Sequence, residues 1–325
     1  MSADSPETNP TSSPASTGAS HDIRETVRAG YAAIARHADG LASSLEGADS
    51  PRVAQASGAS CCGPTAAPTS CCGGDAPAAA QSLAEAIGYD PQQLASIPTG
   101  ANLGLSCGNP TALASLRAGE VVLDLGSGAG FDAFIAGRRV GPTGRVIGVD
   151  MTPEMLAKAR RNAEQYRAMT GWDNVEFRLG EIEHLPIADH SVDVVISNCV
   201  LNLSPDKAQV WREIARVLRP GGRVAISDLA LRRPLPEKVK TMVEALVGCV
   251  AGAPLIDTTR MQMEKAGLVD IELTPKDGYV DAMTQWNDPL YAAVLAELPE
   301  GSKASDYITS LDIAARAPRA AGRCC

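Results

Sequence analysis

Aromatic side chains are few, with three phenylalanines, six tyrosines and three tryptophans in 325 residues. That is thin material for an aromatic-lined acceptor pocket. Histidine is scarce too, at His21, His37, His184 and His190. None lies in a catalytic-looking setting, and all four read as solvated or structural, so no histidine base is expected. Basic charge is short: 29 Lys and Arg stand against 38 Asp and Glu, a net charge of -9. Gripping a nucleic-acid backbone needs clustered Lys and Arg, so nucleic acid is excluded as a partner. No apolar run reaches the ~18 residues of a membrane span. The first twenty residues, "MSADSPETNPTSSPASTGAS", have neither a basic start nor an apolar h-region. No membrane association is expected, and the reading places the protein in the cytoplasm.

What the chain does have is cysteine, nine in all. In a reducing compartment these are poor candidates for a permanent disulfide framework. They read instead as metal or metalloid ligands or as redox groups, with buried apolar thiols as the plain alternative. Residues 47–80 are rich in Gly, Ala, Pro and Ser and contain "SCCG" at 60–63 and again at 70–73, and the chain ends in "RCC" with Cys324 and Cys325. Adjacent cysteines on such segments make little sense as packing residues. They suit a thiophilic ion or thiol exchange, with weak metal scavenging as the other reading.

The organisation expected is a disordered tail over 1–20, then an N-terminal helix and Cys-rich flexible linker over 21–80. A core follows over 81–255, and 256–325 supplies late strands, a helix and the Cys-Cys tail. In "HDIRETVRAGYAAIARHAD", Ile23, Val27, Tyr31 and Ile34 recur at helical spacing. From about residue 120 the pattern alternates. Strands are expected at 120–126, 145–150, 174–180, 192–197 and 223–231. Thr152-Pro153 and Ser204-Pro205 each place a cap residue before a proline at the first helical position. One helix then presents Leu156, Ala159, Ala163 and Tyr166, the other Val210, Ile214, Val217 and Leu218. Nearly continuous apolar strands alternating with helices imply a doubly covered parallel sheet. "LVDIELTP" and "SDYITSLDIAARA" flank the helix-like "DPLYAAVLAEL" and are expected to close the sheet with an antiparallel edge.

The segment "VVLDLGSGAGFD" ends a strand in Gly126-x-Gly128-x-Gly130. Glycines there permit a tight strand-to-helix turn with a ligand against the backbone. The spacing is neither the dinucleotide fingerprint nor a P-loop. Asp124 precedes the glycines, Asp150 ends the next strand where it can accept from both ribose hydroxyls, and Glu181 follows the third strand where an adenine edge is expected.

This combination, with "LRPGGRV" at 218–224, resembles the class I S-adenosylmethionine-dependent methyltransferases over residues 115–231. The resemblance implies an α/β Rossmann-like fold, a mostly parallel seven-stranded sheet with helices on both faces. It also implies that Asp124, Gly126, Gly128 and Gly130 line the methionine part of the cofactor. Asp150 would then hold the ribose, while Met151, Glu181 and Ile182 border the adenine. Many nitrogen methyltransferases carry Asp/Asn-Pro-Pro-Tyr where the fourth strand exits; here the chain reads Ser197-Asn198-Cys199-Val200. Asn198 falls among the cofactor-binding residues, and the thiol of Cys199 stands at the acceptor.

Cys107 lies in "GANLGLSCGNP" before the first strand and Cys249 in "LVGCVAGAP" after the fifth. Their separations from Cys199 match no zinc-finger spacing, yet the topology can bring all three to one rim of the sheet. Three soft sulfurs suit a thiophilic ion. Zinc would ordinarily need a fourth ligand and has no lone pair to methylate. Trivalent arsenic takes three sulfurs and keeps a lone pair, so no general base is needed.

"GANLGLSCGNP", "DLGSGAGFD", "VIGVDMTPEML", "RLGEIEHLP", "SNCVLNLSPDK" and "GCVAGA" together resemble the microbial arsenite S-adenosylmethionine methyltransferases over about residues 81–275. That resemblance implies As(III) bound by Cys107, Cys199 and Cys249, and a further cysteine in the N-terminal region active in disulfide exchange. Cys61, Cys62, Cys71 and Cys72 compete for this role, with Cys72 favoured for its closeness to the helix near residue 80. The expected products are methylarsenicals and S-adenosylhomocysteine. A thiol reductant, thioredoxin or glutathione, is expected to restore the thiols, with thioredoxin a possible partner and the protein a monomer. Two rivals stand beside this reading. A lipid, quinone or sterol methyltransferase would need more aromatic residues. A non-catalytic arsenic-binding protein would have no use for the glycine turn with Asp150.

Overall fold

The structure, a computed structural model, describes residues 17–46, 76–242, 249–276, 278–285 and 289–319. Seven strands form one sheet: β1 Val121–Leu125, β2 Arg145–Asp150, β3 Val175–Leu179, β4 Val192–Asn198, β5 Leu218–Leu231, β6 Val269–Lys276 and β7 Ile308–Arg316. Their order is β3-β2-β1-β4-β5-β7-β6. β1 to β5 pair in parallel, whereas β7 runs antiparallel to both β5 and β6. The antiparallel strand expected at the edge is therefore one place further in, and β6 forms the edge. β5 also starts earlier than its apolar run suggested, because "LRPGG" continues the strand toward β4.

Successive strand residues point to opposite faces, and each face is covered. Leu123 and Leu125 pack with Val195, Trp211 and Ile214, the last two from a helix at Lys207–Val217. Val122 packs instead with Val194, Ile196, Phe134 and Leu156. Phe134 and Leu156 come from two further helices, Phe131–Val140 and Pro153–Thr170. Both helix faces expected from the sequence are buried, Leu156, Ala159, Ala163 and Tyr166 on one and Val210, Ile214 and Val217 on the other, while Leu218, also buried, opens β5 instead. Strands covered on both sides need no polar alternation, which is why their runs read as continuously apolar.

A third apolar cluster lies beyond the carboxyl ends of the strands. There Val27, from the helix Thr17–Glu46 (α1), packs with Cys107, Cys199, Cys249, Val239 and Tyr307. Arg36 of α1 reaches Glu154 at 2.7 Å. Strand order reverses between β1 and β4, and such a reversal opens a crevice at the carboxyl ends of the strands. Among the described residues, no helix is long and apolar enough to cross a membrane.

One helix start differs from expectation. Ser204 does not cap the helix that follows; the helix begins at Lys207, and Asp206 is its cap, accepting from the Gln209 amide at 3.0 Å. The Ser204 hydroxyl accepts instead from the Asp206 amide at 3.1 Å, one turn short of the helix, and donates to Glu183 at 2.6 Å. Asp206→Ala should therefore cost about 1 kcal/mol of unfolding free energy, the usual value of a lost cap, read as a shift in the urea midpoint at unchanged slope.

Candidate active site

β4 delivers Asn198 and then Cys199 to the crevice. Cys199 takes a left-handed backbone, φ 55°, while its amide donates to Ser227 of β5 at 2.9 Å. Cys249 is also left-handed, φ 64°, and its buried thiol donates to the Cys199 carbonyl at 2.8 Å. Non-glycine residues rarely adopt this conformation, and holding one there costs on the order of 1–3 kcal/mol. Both turns thus hold a thiol at the rim against local backbone preference.

Cys107 reaches the same place from a loop. Its amide donates to Asn198 Oδ1 at 3.1 Å, and its carbonyl accepts from Ser310 of β7 at 2.8 Å. The next residue must be small, because a Cβ on Gly108 would stand 2.5 Å from the Ser227 side chain. Cys107, Cys199 and Cys249 therefore meet in one buried cluster. Cys107 and Cys199 are joined as a disulfide, with Cα atoms 6.0 Å apart. The topology sets the two loops face to face, and burial leaves each thiol the other as neighbour. Cys61, Cys62, Cys71, Cys72, Cys324 and Cys325 lie outside the described residues.

Beside the thiols a pocket opens at the ends of β1, β2 and β4. Asp124, Gly126, Gly128, Asp150, Met151 and Ile182 line it, and Asn198 and Cys199 form its wall toward the thiols. Asp150 braces the glycine turn, accepting from the Gly128 amide at 2.9 Å and the Thr152 amide at 2.8 Å. Gly128 has φ 51°, and a Cβ there would meet nothing within 4 Å. A ligand can lie directly on that backbone. Gly130 does something else: a Cβ would sit 2.5 Å from Phe134 and 2.8 Å from Phe177, so its smallness serves the packing behind the turn. Glu181 faces α1, with Arg24 at 3.7 Å and Arg28 at 3.4 Å. The pocket wall at that point is Gly180, Ile182 and Glu183.

The chain from 116 to 285 matches the family described as "Methyltransferase domain". It is 45% identical over 301 residues to the arsenite methyltransferase of Halobacterium salinarum, covering 91% of this chain and 67% of that one. It thus spans about two thirds of that relative's length. The human arsenite methyltransferase is 40% identical over 137 residues, 41% of this chain and 36% of its own. A solved arsenic(III) S-adenosylmethionine methyltransferase from Chlamydomonas reinhardtii superposes with a TM-score of 0.52 at 32% identity, covering 75% of this chain and 74% of that one. The chain belongs to the arsenite methyltransferase family.

In this family member the pocket is rich in buried acid. Burial raises the Asp124 carboxyl well above its ordinary range, and the neighbouring Asp132 and Asp150 raise it further. Burial lifts Asp132 to about 6 and raises Asp150 too. Asp124 Oδ2 and Ser127 Oγ are buried without a hydrogen-bond partner. A cationic ligand with hydrogen-bond donors would answer both; a methionine-derived ammonium is such a group, and a neighbouring sulfonium adds positive charge without donating. The residues present fit S-adenosylmethionine.

Sequence reasoning passed over Asp132, Tyr31, Lys207 and Asp228. Asp132 stands inside "GSGAGFD" and accepts from Tyr89 at 2.6 Å and Asn198 at 3.0 Å. Its place in the glycine motif was a signal. Asp228 lies near the carboxyl end of β5, where site residues gather in such sheets. Burial lifts it to about 7, against the pull of the Leu229 amide and Lys207. Tyr31, from α1, brings its hydroxyl to 3.9 Å from Cys249, a contact with no local sequence signal.

A carboxyl raised by folding binds its proton more tightly in the native state than in the unfolded one. Its stabilising contribution is complete below the unfolded value near 3.8 and is lost as pH rises through the folded value. For Asp132 that window runs from about pH 4 to 6. The stability of Asp132→Asn relative to the parent should rise across it, by at most about 1.4 kcal/mol per pH unit. Denaturant midpoints taken at several pH values check this.

Proposed function

We propose that this chain methylates trivalent arsenic, moving a methyl group from S-adenosylmethionine to As(III) held by Cys107, Cys199 and Cys249, to give methylarsenicals. The observation that carries the reading is the meeting of three cysteines in one buried cluster, of which Cys199 reaches the wall of the acid-rich pocket. When bound, S-adenosylmethionine supplies an electrophilic methyl group on a sulfonium sulfur. The carboxyl of Asp124 and the hydroxyl of Ser127 hold its amino-acid end, the bare backbone of Gly126 and Gly128 carries its length, and Asp150 takes the ribose hydroxyls. Met151 and Ile182 border the adenine. Asn198 positions the thiol loop and shares the pocket wall.

Three thiolates leave arsenic its lone pair, so the protein needs only to aim that pair into the pocket. Orientation of this kind contributes on the order of 7–11 kcal/mol. Burial raises the Cys249 thiol well above its ordinary value. The resting thiol is therefore protonated, and its proton leaves as the bond to arsenic forms. Arsenic cannot enter while Cys107 and Cys199 are joined, so turnover needs a thiol reductant, thioredoxin or glutathione, and Cys72 relays the exchange. The protein works as a cytoplasmic monomer.

Purified protein given arsenite, S-adenosylmethionine and a thiol reductant should yield mono- or dimethylated arsenic by chromatography with elemental mass detection. Unchanged arsenite with cofactor binding intact would reject the reading. Cys199→Ser should lower methylation by at least about 100-fold while leaving the affinity for S-adenosylhomocysteine nearly unchanged; wild-type turnover in that variant would remove Cys199 from the ligand set.

A further inference from the structure

The three-thiol scheme leaves Asp228 without a task, yet its carboxylate is in the midst of the thiols. An oxygen of Asp228 and the Sγ atoms of Cys107 and Cys199 all lie within 4.8 Å of one another, and all three residues are buried. Cys249 adjoins them through its hydrogen bond to the Cys199 carbonyl. Arsenic(III) is satisfied by three sulfurs and keeps a lone pair. A divalent zinc-like ion is not, and takes a fourth ligand in tetrahedral array. With metal–sulfur bonds of about 2.3 Å and metal–oxygen bonds of about 2.0–2.2 Å, ligand atoms around such an ion stand roughly 3.5–3.8 Å apart. The Cys107 and Cys199 sulfurs, joined here as a disulfide, part toward that spacing on reduction, with the Asp228 oxygen within 4.8 Å of both.

We propose that the reduced site also takes a thiophilic divalent cation of the zinc–cadmium class, with Asp228 as the oxygen ligand beside the three thiolates, and that this ion excludes arsenite. Asp228 is anchored as ligating carboxylates are, by hydrogen bonds from behind. The Leu229 amide donates to one oxygen at 2.8 Å and the Asn202 amide faces the other at 3.4 Å. Lys207, half enclosed with its Nζ donating to the Ser204 carbonyl at 2.8 Å, supplies positive charge to both Asp228 and Cys249. Tyr31 faces the Cys249 sulfur from α1. Binding releases the thiol protons to solvent and forms three metal–sulfur bonds and one metal–oxygen bond, with no change of oxidation state. An ion so bound has no lone pair to offer a methyl group, so it holds the enzyme idle. The inference shares with the proposed function only the convergence of three reducible thiols, not the methyl transfer.

The test uses full-length protein with Cys61, Cys62, Cys71, Cys72, Cys324 and Cys325 replaced by serine, reduced and kept free of oxygen, and titrated with Co²⁺. One ion per chain should bind with the visible absorption of tetrahedral cobalt and a thiolate charge-transfer band, and arsenite should displace it. Asp228→Asn should weaken cobalt binding by about tenfold or more and leave arsenite affinity unchanged. Equal cobalt affinity in that variant, an octahedral spectrum, or simultaneous binding of cobalt and arsenite would overturn the proposal. Should Asp228→Asn fail to fold, Asp228→Cys answers the same question. X-ray absorption should then count four sulfurs around the ion in place of three, and a count unchanged at three would overturn it. Loss of arsenic methylation with these spectra intact would instead count against the proposed function.

Discussion

The side-chain amide of Asn198 joins the two halves of the site. Its oxygen accepts from the Cys107 amide at 3.1 Å, and its nitrogen faces the Gly108 carbonyl at 2.9 Å, Asp132 at 3.0 Å and the Tyr89 hydroxyl at 3.1 Å. One residue at the end of β4 thus ties the thiol loop to the helix that follows the glycine turn. A buried polar network of this kind is costly when incomplete and rigid when satisfied. Aspartate would keep the acceptor and lose the donors, and leucine would lose both. The placement of Cys107 against Cys199, which stands at the pocket wall, follows from that amide.

Electrostatics divides the pocket in the same way. On the cofactor side, Asp124, Asp132 and Asp150 are held where burial disfavours their charge. Carboxyls crowded together in this way are suited to a cationic ligand. On the thiol side, Lys207 offsets Asp228 and faces Cys249. Helix α1 bridges the two sides. Its Arg24 and Arg28 pair with Glu181 and its Tyr31 reaches Cys249, so one helix contacts both the pocket wall and the thiol cluster.

Much of this was legible in the sequence, for identifiable reasons. β2 ran as expected, at 145–150, because its strand pattern is bounded by turn residues on both sides. The glycine turn and Asp150 were legible because their chemistry is local: the backbone of Gly128 and the carboxylate of Asp150 lie one strand apart and hydrogen-bond directly. Where the reading slipped, a distant partner decided. Glu181 meets two arginines of α1, and Ser204 takes the Asp206 amide and gives its hydroxyl to Glu183, leaving Asp206 as the cap. β7 enters between β5 and β6 because its residues pair with both, a choice that no periodicity within "ITSLDIAAR" records.

The sequence by itself determined the sheet, its covering helices, the glycine turn and the three thiols as a set, since strand period, helix face and turn chemistry are properties of neighbouring residues. Only the tertiary structure decided that Cys107 faces Cys199, that Asn198 spends its amide on the thiol loop, and that Asp228 stands among the sulfurs. The meetings made by Cys107 and its loop join residues from 91 to 203 positions apart, counting the Ser310 contact that seats the loop. Long-range contacts of this kind are set by packing and by the satisfaction of buried polar groups, which act only once the chain has folded.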